Sequence, residues 1–81
     1  MLREMNKANG KGMHFTVEIE REKDGRWIAE VMDLPGVMAY GKTRKEALGA
    51  AEALALRVLA DRLEHGETAA EHFMLAFEAS A

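Results

Sequence analysis

Cysteine is absent from this sequence of 81 residues. Its absence excludes disulfides and thiolate chemistry, and it makes the cytoplasm the simplest expected compartment. A basic excess is also absent, since 14 acidic and 11 basic residues give a formal net charge of -3. Direct binding to nucleic acid is therefore disfavoured, because it requires cations that neutralise phosphates. An acidic surface is instead compatible with a basic protein partner.

Long apolar runs are missing too. No stretch of about 18 apolar residues occurs, and the first residues lack the apolar core of a signal peptide, so no membrane interaction is expected. The short chain has room for one hydrophobic core. Residues 1–12 are polar and contain Gly10 and Gly12, which predicts a disordered tail before a domain over residues 13–81.

Two strands are predicted by apolar residues that alternate with polar ones, at Phe15–Glu20 and Trp27–Val31. A two-residue turn between them would mix apolar and polar residues on each face of the sheet. A three-residue loop, Lys23–Gly25, with Gly25 in the left-handed region, gives one apolar face. The predicted pairs are Val17 with Val31, Ile19 with Ala29, and Arg21 with Trp27.

A turn at Asp33–Gly36 and a short strand at Val37–Gly41 follow. Thr43 and Glu46 have the spacing of a capping box, in which the Thr43 hydroxyl accepts the Glu46 amide and the Glu46 carboxylate accepts the Thr43 amide. A helix is predicted from there to about Glu64, with Gly66 as its left-handed stop.

One stripe of this helix is predicted to cover the sheet. Its members are Ala47, Leu48, Ala51, Leu54, Ala55, Val58 and Leu59. A short apolar segment, Phe73–Phe77, predicts a last strand that is reached by a right-handed crossover and is parallel to its neighbour. The expected fold is α+β, in the order β-β-β-α-β, with a four-stranded mixed sheet and one long helix on one face.

The run from Gly25 to Val37, with its Asp-Leu-Pro-Gly turn, and the helix start from Gly41 to Leu48 resemble the HicB-like antitoxin family. The resemblance extends over Phe15–Leu63. This chain departs from common family residues at Met32, Val37 and Lys42. The resemblance implies a partial RNase H-like fold in which the last strand lies beside the first.

The same resemblance implies that the domain binds a HicA-like toxin, a small messenger-RNA nuclease, and covers its catalytic surface. Full-length antitoxins add a DNA-binding domain, for which the residues after the helix are too few. The expected function is therefore protein binding without catalysis or cofactor. The candidate partner-binding residues are Glu18, Glu20, Glu30, Asp33 and Tyr40.

Other interpretations remain open. The domain could be a homo-oligomer, dimer or tetramer, without a toxin, in which Leu56, Leu63 and a sheet edge make the contacts. It could be a degenerate nuclease that uses clustered carboxylates. The region from His65 to His72 combines imidazole and carboxylate groups, but its spacing matches no known zinc pattern, so no metal site is predicted.

Overall fold

The computed structural model of the chain describes residues 12–66 and 74–80. The elements follow in the order β1 (Gly12–Arg21), β2 (Trp27–Val31), β3 (Met38–Gly41), α1 (Arg44–Glu64) and β4 (Met74–Ser80). The strands form one mixed sheet in the order β3-β2-β1-β4, so the predicted α+β class is confirmed. Of the predicted tail, residues 1–11 lie outside the described residues, and Gly12 already belongs to β1.

The β1–β2 hairpin has the predicted register. Val17 lies opposite Val31, Ile19 opposite Ala29, and Arg21 opposite Trp27. The Glu22 amide donates to the Arg26 carbonyl at 2.6 Å, and the Gly25 amide donates to the Glu22 carbonyl at 2.9 Å. These bonds leave residues 23–25 as the loop, and Gly25 has φ +94°, a conformation that glycine adopts without steric cost.

The turn after β2 returns the chain tightly to β3. The Val37 amide donates to the Leu34 carbonyl at 3.1 Å, and the Val31 amide donates to the Val37 carbonyl at 2.9 Å. Leu34 and Val37 are both buried. The regular strand begins at Met38, one residue later than predicted, because Val37 still takes part in closing the turn.

The helix begins at the predicted cap, but one bond of the capping box differs from the prediction. The Thr43 hydroxyl accepts the Glu46 amide at 3.0 Å, as predicted. The Glu46 carboxylate accepts the Lys42 amide at 2.9 Å rather than the Thr43 amide. The carboxylate thus binds the chain one residue before the cap. The predicted end is confirmed, since α1 stops at Glu64 and Gly66 has φ +71°.

The core lies between the sheet and one stripe of α1. The fully buried helix residues are Ala47, Ala51, Ala55 and Leu59, and the half-buried Leu48, Leu54 and Val58 pack against them. All seven belong to the predicted stripe. Three of the four buried positions are alanine, so the helix backbone can approach β2 and β3 closely. The opposite face of the sheet is left without a covering helix in the described part of the chain.

β4 pairs in parallel with β1, with Phe15 opposite Phe77. The two rings pack at 5.9 Å between centroids. The predicted position of the last strand beside the first is therefore confirmed. The strand continues to Ser80 instead of ending at Phe77, because exposed Glu78 and Ser80 lie on the uncovered face of the sheet, where polar residues are tolerated. Phe73, the predicted first residue, lies outside the described residues.

Candidate partner-binding surface

The face of the sheet opposite α1 carries most of the candidate residues, and we call it the outer face. In a strand, alternate residues point to opposite faces, and residues directly opposite each other on paired strands share a face. Glu18 lies opposite Glu30, and Glu20 lies opposite Ile28. Ile28 in turn lies opposite Tyr40 on β3. The structure therefore brings together four of the five predicted partner-binding residues: Glu18, Glu20, Glu30 and Tyr40.

The outer face is strongly acidic over β1 and β2. Glu18, Glu20, Glu22, Ile28 and Glu30 line a shallow depression of about 200 Å³, so four of its five lining residues are carboxylates. Like charges directly opposite on neighbouring strands, as at Glu18 and Glu30, are destabilising. A cationic group on this face would reduce that repulsion. The depression is therefore suited to lysine or arginine side chains of a partner.

An apolar area adjoins the acidic depression. Met38, which is 40% exposed, lies opposite Glu30, and Tyr40, which is 47% exposed, lies opposite half-buried Ile28. Met32 is 48% exposed in the turn that follows β2. Exposed apolar groups bordered by charged groups are typical of protein interfaces. The sequence pattern predicts Tyr40 but neither Met32 nor Met38, although alternation through β3 places Met38 on the same face as Tyr40.

Arg26 lies at the edge of this apolar area. Its guanidinium is 4.3 Å from the centroid of the Tyr40 ring, within cation–π range. Asp24 fixes this arginine, because its carboxylate accepts both the Arg26 amide at 3.1 Å and the Arg26 Nε at 2.9 Å. The hydrogen bond from the Arg26 backbone amide, supported by the charge of the Arg26 guanidinium, holds the pKa of Asp24 below its usual value. The ionised carboxylate thus keeps Arg26 beside Tyr40.

Asp33, the fifth predicted residue, has a structural contact of its own. Its carboxylate accepts the Thr16 amide at 2.7 Å, while the Met32 amide donates to the Thr16 carbonyl at 2.9 Å. Val17 and Val31 are the last paired residues of β1 and β2. These two hydrogen bonds extend the contact by joining Thr16 of β1 to the turn that follows β2. Its contact with a partner stays a prediction. The sequence could not reveal the bond to Thr16, because the two residues are 17 positions apart.

Asp33→Ala is expected to lower the free energy of unfolding by about 1 kcal/mol, because the Thr16 amide loses a charged acceptor. Asp33→Asn retains an oxygen acceptor, so we expect part of the loss to be recovered. Urea denaturation followed by circular dichroism measures both values. Equal stability of the alanine variant and the unmodified chain would contradict a structural role for this carboxylate.

The predicted oligomer contacts lie on α1. Leu56 is 50% exposed and Leu63 is half-buried. Neither belongs to the buried stripe of the helix, in agreement with their position outside it in the sequence pattern. Their participation in an oligomer stays a prediction. In residues 12–66 and 74–80, no helix is both long and apolar enough to cross a membrane.

The carboxylates of the outer face and the region from His65 to His72 are the sets relevant to nuclease or metal chemistry. Over the described ranges, no three His, Asp or Glu side chains form a group that could hold a metal ion. The His65 ring nitrogen contacts the Asp61 carbonyl at 2.7 Å and lies 3.4 Å from the Asp61 carboxylate, at the end of α1. His72 lies outside the described residues.

Comparison with known proteins finds similarity over part of the chain. UPF0150 protein Ta0767 from Thermoplasma acidophilum is 47% identical over 36 residues, which are 44% of this chain and 52% of that protein. The chain thus spans about half the length of this relative, whose name states no activity. No protein-family model matches the chain, and no solved structure matches it. The similarity therefore relates part of this chain to a UPF0150 protein.

Proposed function

We propose that this chain is a protein-binding domain of the HicB-like antitoxin type. It binds and neutralises a HicA-like, messenger-RNA-cleaving toxin in the cytoplasm, and it has no catalytic activity of its own. The observation that carries the proposal is the outer face of the sheet, where the acidic depression around Glu18, Glu20 and Glu30 adjoins the exposed side chains of Met38 and Tyr40.

The two halves of the outer face have different parts in binding. The carboxylates attract a basic partner and accelerate the encounter, because long-range electrostatic forces act mainly on the association rate. Met38 and Tyr40 supply apolar area that holds the complex once it has formed, since aromatic and methionine side chains are enriched at interface centres. A nuclease that binds RNA presents cationic groups at its RNA site. Carboxylates on this face can occupy those groups in place of phosphates.

The proposal makes a specific prediction for charge reversal. Replacing Glu18 and Glu20 together by lysine is expected to weaken binding to a HicA-like toxin at least about tenfold, because repulsion replaces attraction. Replacing Asp61 and Glu64 by lysine changes the net charge equally, but these exposed residues lie at the end of α1. We expect this control to change the affinity less than about twofold, apart from weak long-range effects.

The measurement is a binding titration with the product of the adjacent gene, or with a related HicA-like chain if no toxin is adjacent, run in parallel with an RNA-cleavage assay. Surface plasmon resonance at low and high salt gives the rates. Higher salt is expected to slow association more than it accelerates dissociation. If the folded chain does not bind at tens of micromolar toxin, the proposal fails. Equal weakening in both double variants would exclude the outer face as the binding surface.

A further inference from the structure

Among the described strands, β4 forms an edge of the sheet, where its backbone can offer hydrogen-bonding groups to another strand. The strand order places it next to β1 alone among the described strands. It is seven residues long, whereas β3 at the other edge has four. Proteins commonly protect such edges by lysine, proline or short strand length. β4 lacks both lysine and proline, and Glu78 is its single charged residue.

Apolar surface accompanies this edge of β4. Leu75 and Phe77 lie on the same face of the sheet as α1, because they pair with Met13 and Phe15 of β1. Both are half-buried, although the neighbouring Phe15 is buried. α1 packs on β3 and β2 and touches β1 less, so the helix leaves the β4 side of the sheet less covered. A strand added at β4 would bury more of Leu75 and Phe77.

We propose that β4 pairs antiparallel with β4 of a second copy of this chain, about a twofold axis that passes through Phe77. The two four-stranded sheets then become one continuous sheet. The inference does not rest on the proposed function. It uses the edge farthest from β3, so Met38 and Tyr40 stay accessible to a different partner.

The position of the axis follows from the sequence of β4. An axis at Phe77 pairs all residues from Met74 to Ser80, places Phe77 opposite its own symmetry mate, and places Glu78 opposite the small Ala76 of the second copy. An axis at Glu78 would place two carboxylates directly opposite each other, which is destabilising. An axis at Ala76 would leave Ala79 and Ser80 beyond the pairing between the described strands. Phe77 is therefore the favoured centre.

This register gives a test in which the sign of the effect depends on the introduced charge. Ala76 is exposed. In the Ala76→Lys variant, the lysine of each copy lies opposite Glu78 of the other copy, so the dimer gains two such pairs. We therefore expect a dimer dissociation constant about threefold to tenfold lower at low salt. Ala76→Glu is expected to raise the constant by a similar factor. Met38→Lys and Met38→Glu carry the same charges on β3, and we expect the difference between these two controls to be smaller than twofold.

Sedimentation equilibrium over micromolar to millimolar concentrations measures the dissociation constants, and circular dichroism verifies that each variant is folded. A 9.0 kDa monomer over the whole range would overturn the inference. So would equal responses at Ala76 and Met38. Hydrogen exchange of the β4 amides adds an independent measurement. Protection that increases with protein concentration supports pairing with a second copy, whereas protection that is independent of concentration assigns the edge to a segment of the same chain and overturns the inference.

Discussion

Gly41→Ala is expected to destabilise this domain severely, with a loss of about 3 kcal/mol in the free energy of unfolding. Gly41 is the last residue of β3, and only two residues separate it from α1. A Cβ atom at this position would clash with the backbone nitrogen of Ala47 and would lie 2.8 Å from the backbone carbonyl carbon of Glu46. Backbone atoms at the start of a helix cannot rotate away as a side chain can. The alanine variant must therefore displace the helix from the sheet.

The matched control is the same substitution at Gly49, inside α1. A Cβ atom there meets nothing within 4 Å, and the backbone is helical. Because alanine favours a helix over glycine by about 1 kcal/mol, Gly49→Ala is expected to stabilise the domain. Urea denaturation of both variants provides the comparison. If both substitutions change the free energy of unfolding with the same sign and by the same amount, the close backbone approach does not explain why position 41 requires glycine.

The chemistry of the sequence was sufficient to predict the β1–β2 hairpin. A period of two residues, together with the need to keep Val17 and Ile19 on one face, left a single plausible loop, and the structure has that loop. The helix start and stop were equally local, since Thr43 and Gly66 act on neighbouring amides and carbonyls. The position of β4 was different. A crossover strand can join a sheet at more than one place, and only the HicB-like resemblance indicated β1.

The outer face was only partly predictable. Glu18, Glu20 and Glu30 follow from alternation within regular strands. Tyr40 was ambiguous because β3 is short and follows a tight turn, which can shift the phase of the alternation by one residue. Met38 lies two residues before Tyr40 and shares its face, so the same phase decides whether both are exposed. The contacts of Arg26 and Asp33 could not be predicted, because they depend on how the loops fold back against Tyr40 and Thr16.

Truncation of two leucines in α1 measures how much the buried stripe contributes to the free energy of unfolding. Leu59 is 2% exposed, and it is the one large side chain among the four buried residues of α1, the other three being alanines. Truncation to alanine removes apolar contacts and leaves a cavity, and we expect Leu59→Ala to lower the free energy of unfolding by about 3 kcal/mol. Natural domains are stable by roughly 5–15 kcal/mol, and those of this size lie near the lower limit. The variant is therefore expected to be partly unfolded at 37 °C.

Leu56→Ala is the control, because it makes the same chemical change three residues earlier in α1. Leu56 is 50% exposed, so less apolar surface returns to water on truncation, and the helix preference of alanine offsets part of the loss. We expect a change of at most about 0.5 kcal/mol in dilute solution. If Leu56 contacts a second copy, its truncation will instead alter how the unfolding midpoint depends on protein concentration. Thermal and urea denaturation at two concentrations separate these effects, and a loss at Leu56 as large as that at Leu59 would mean that the assigned helix face is wrong.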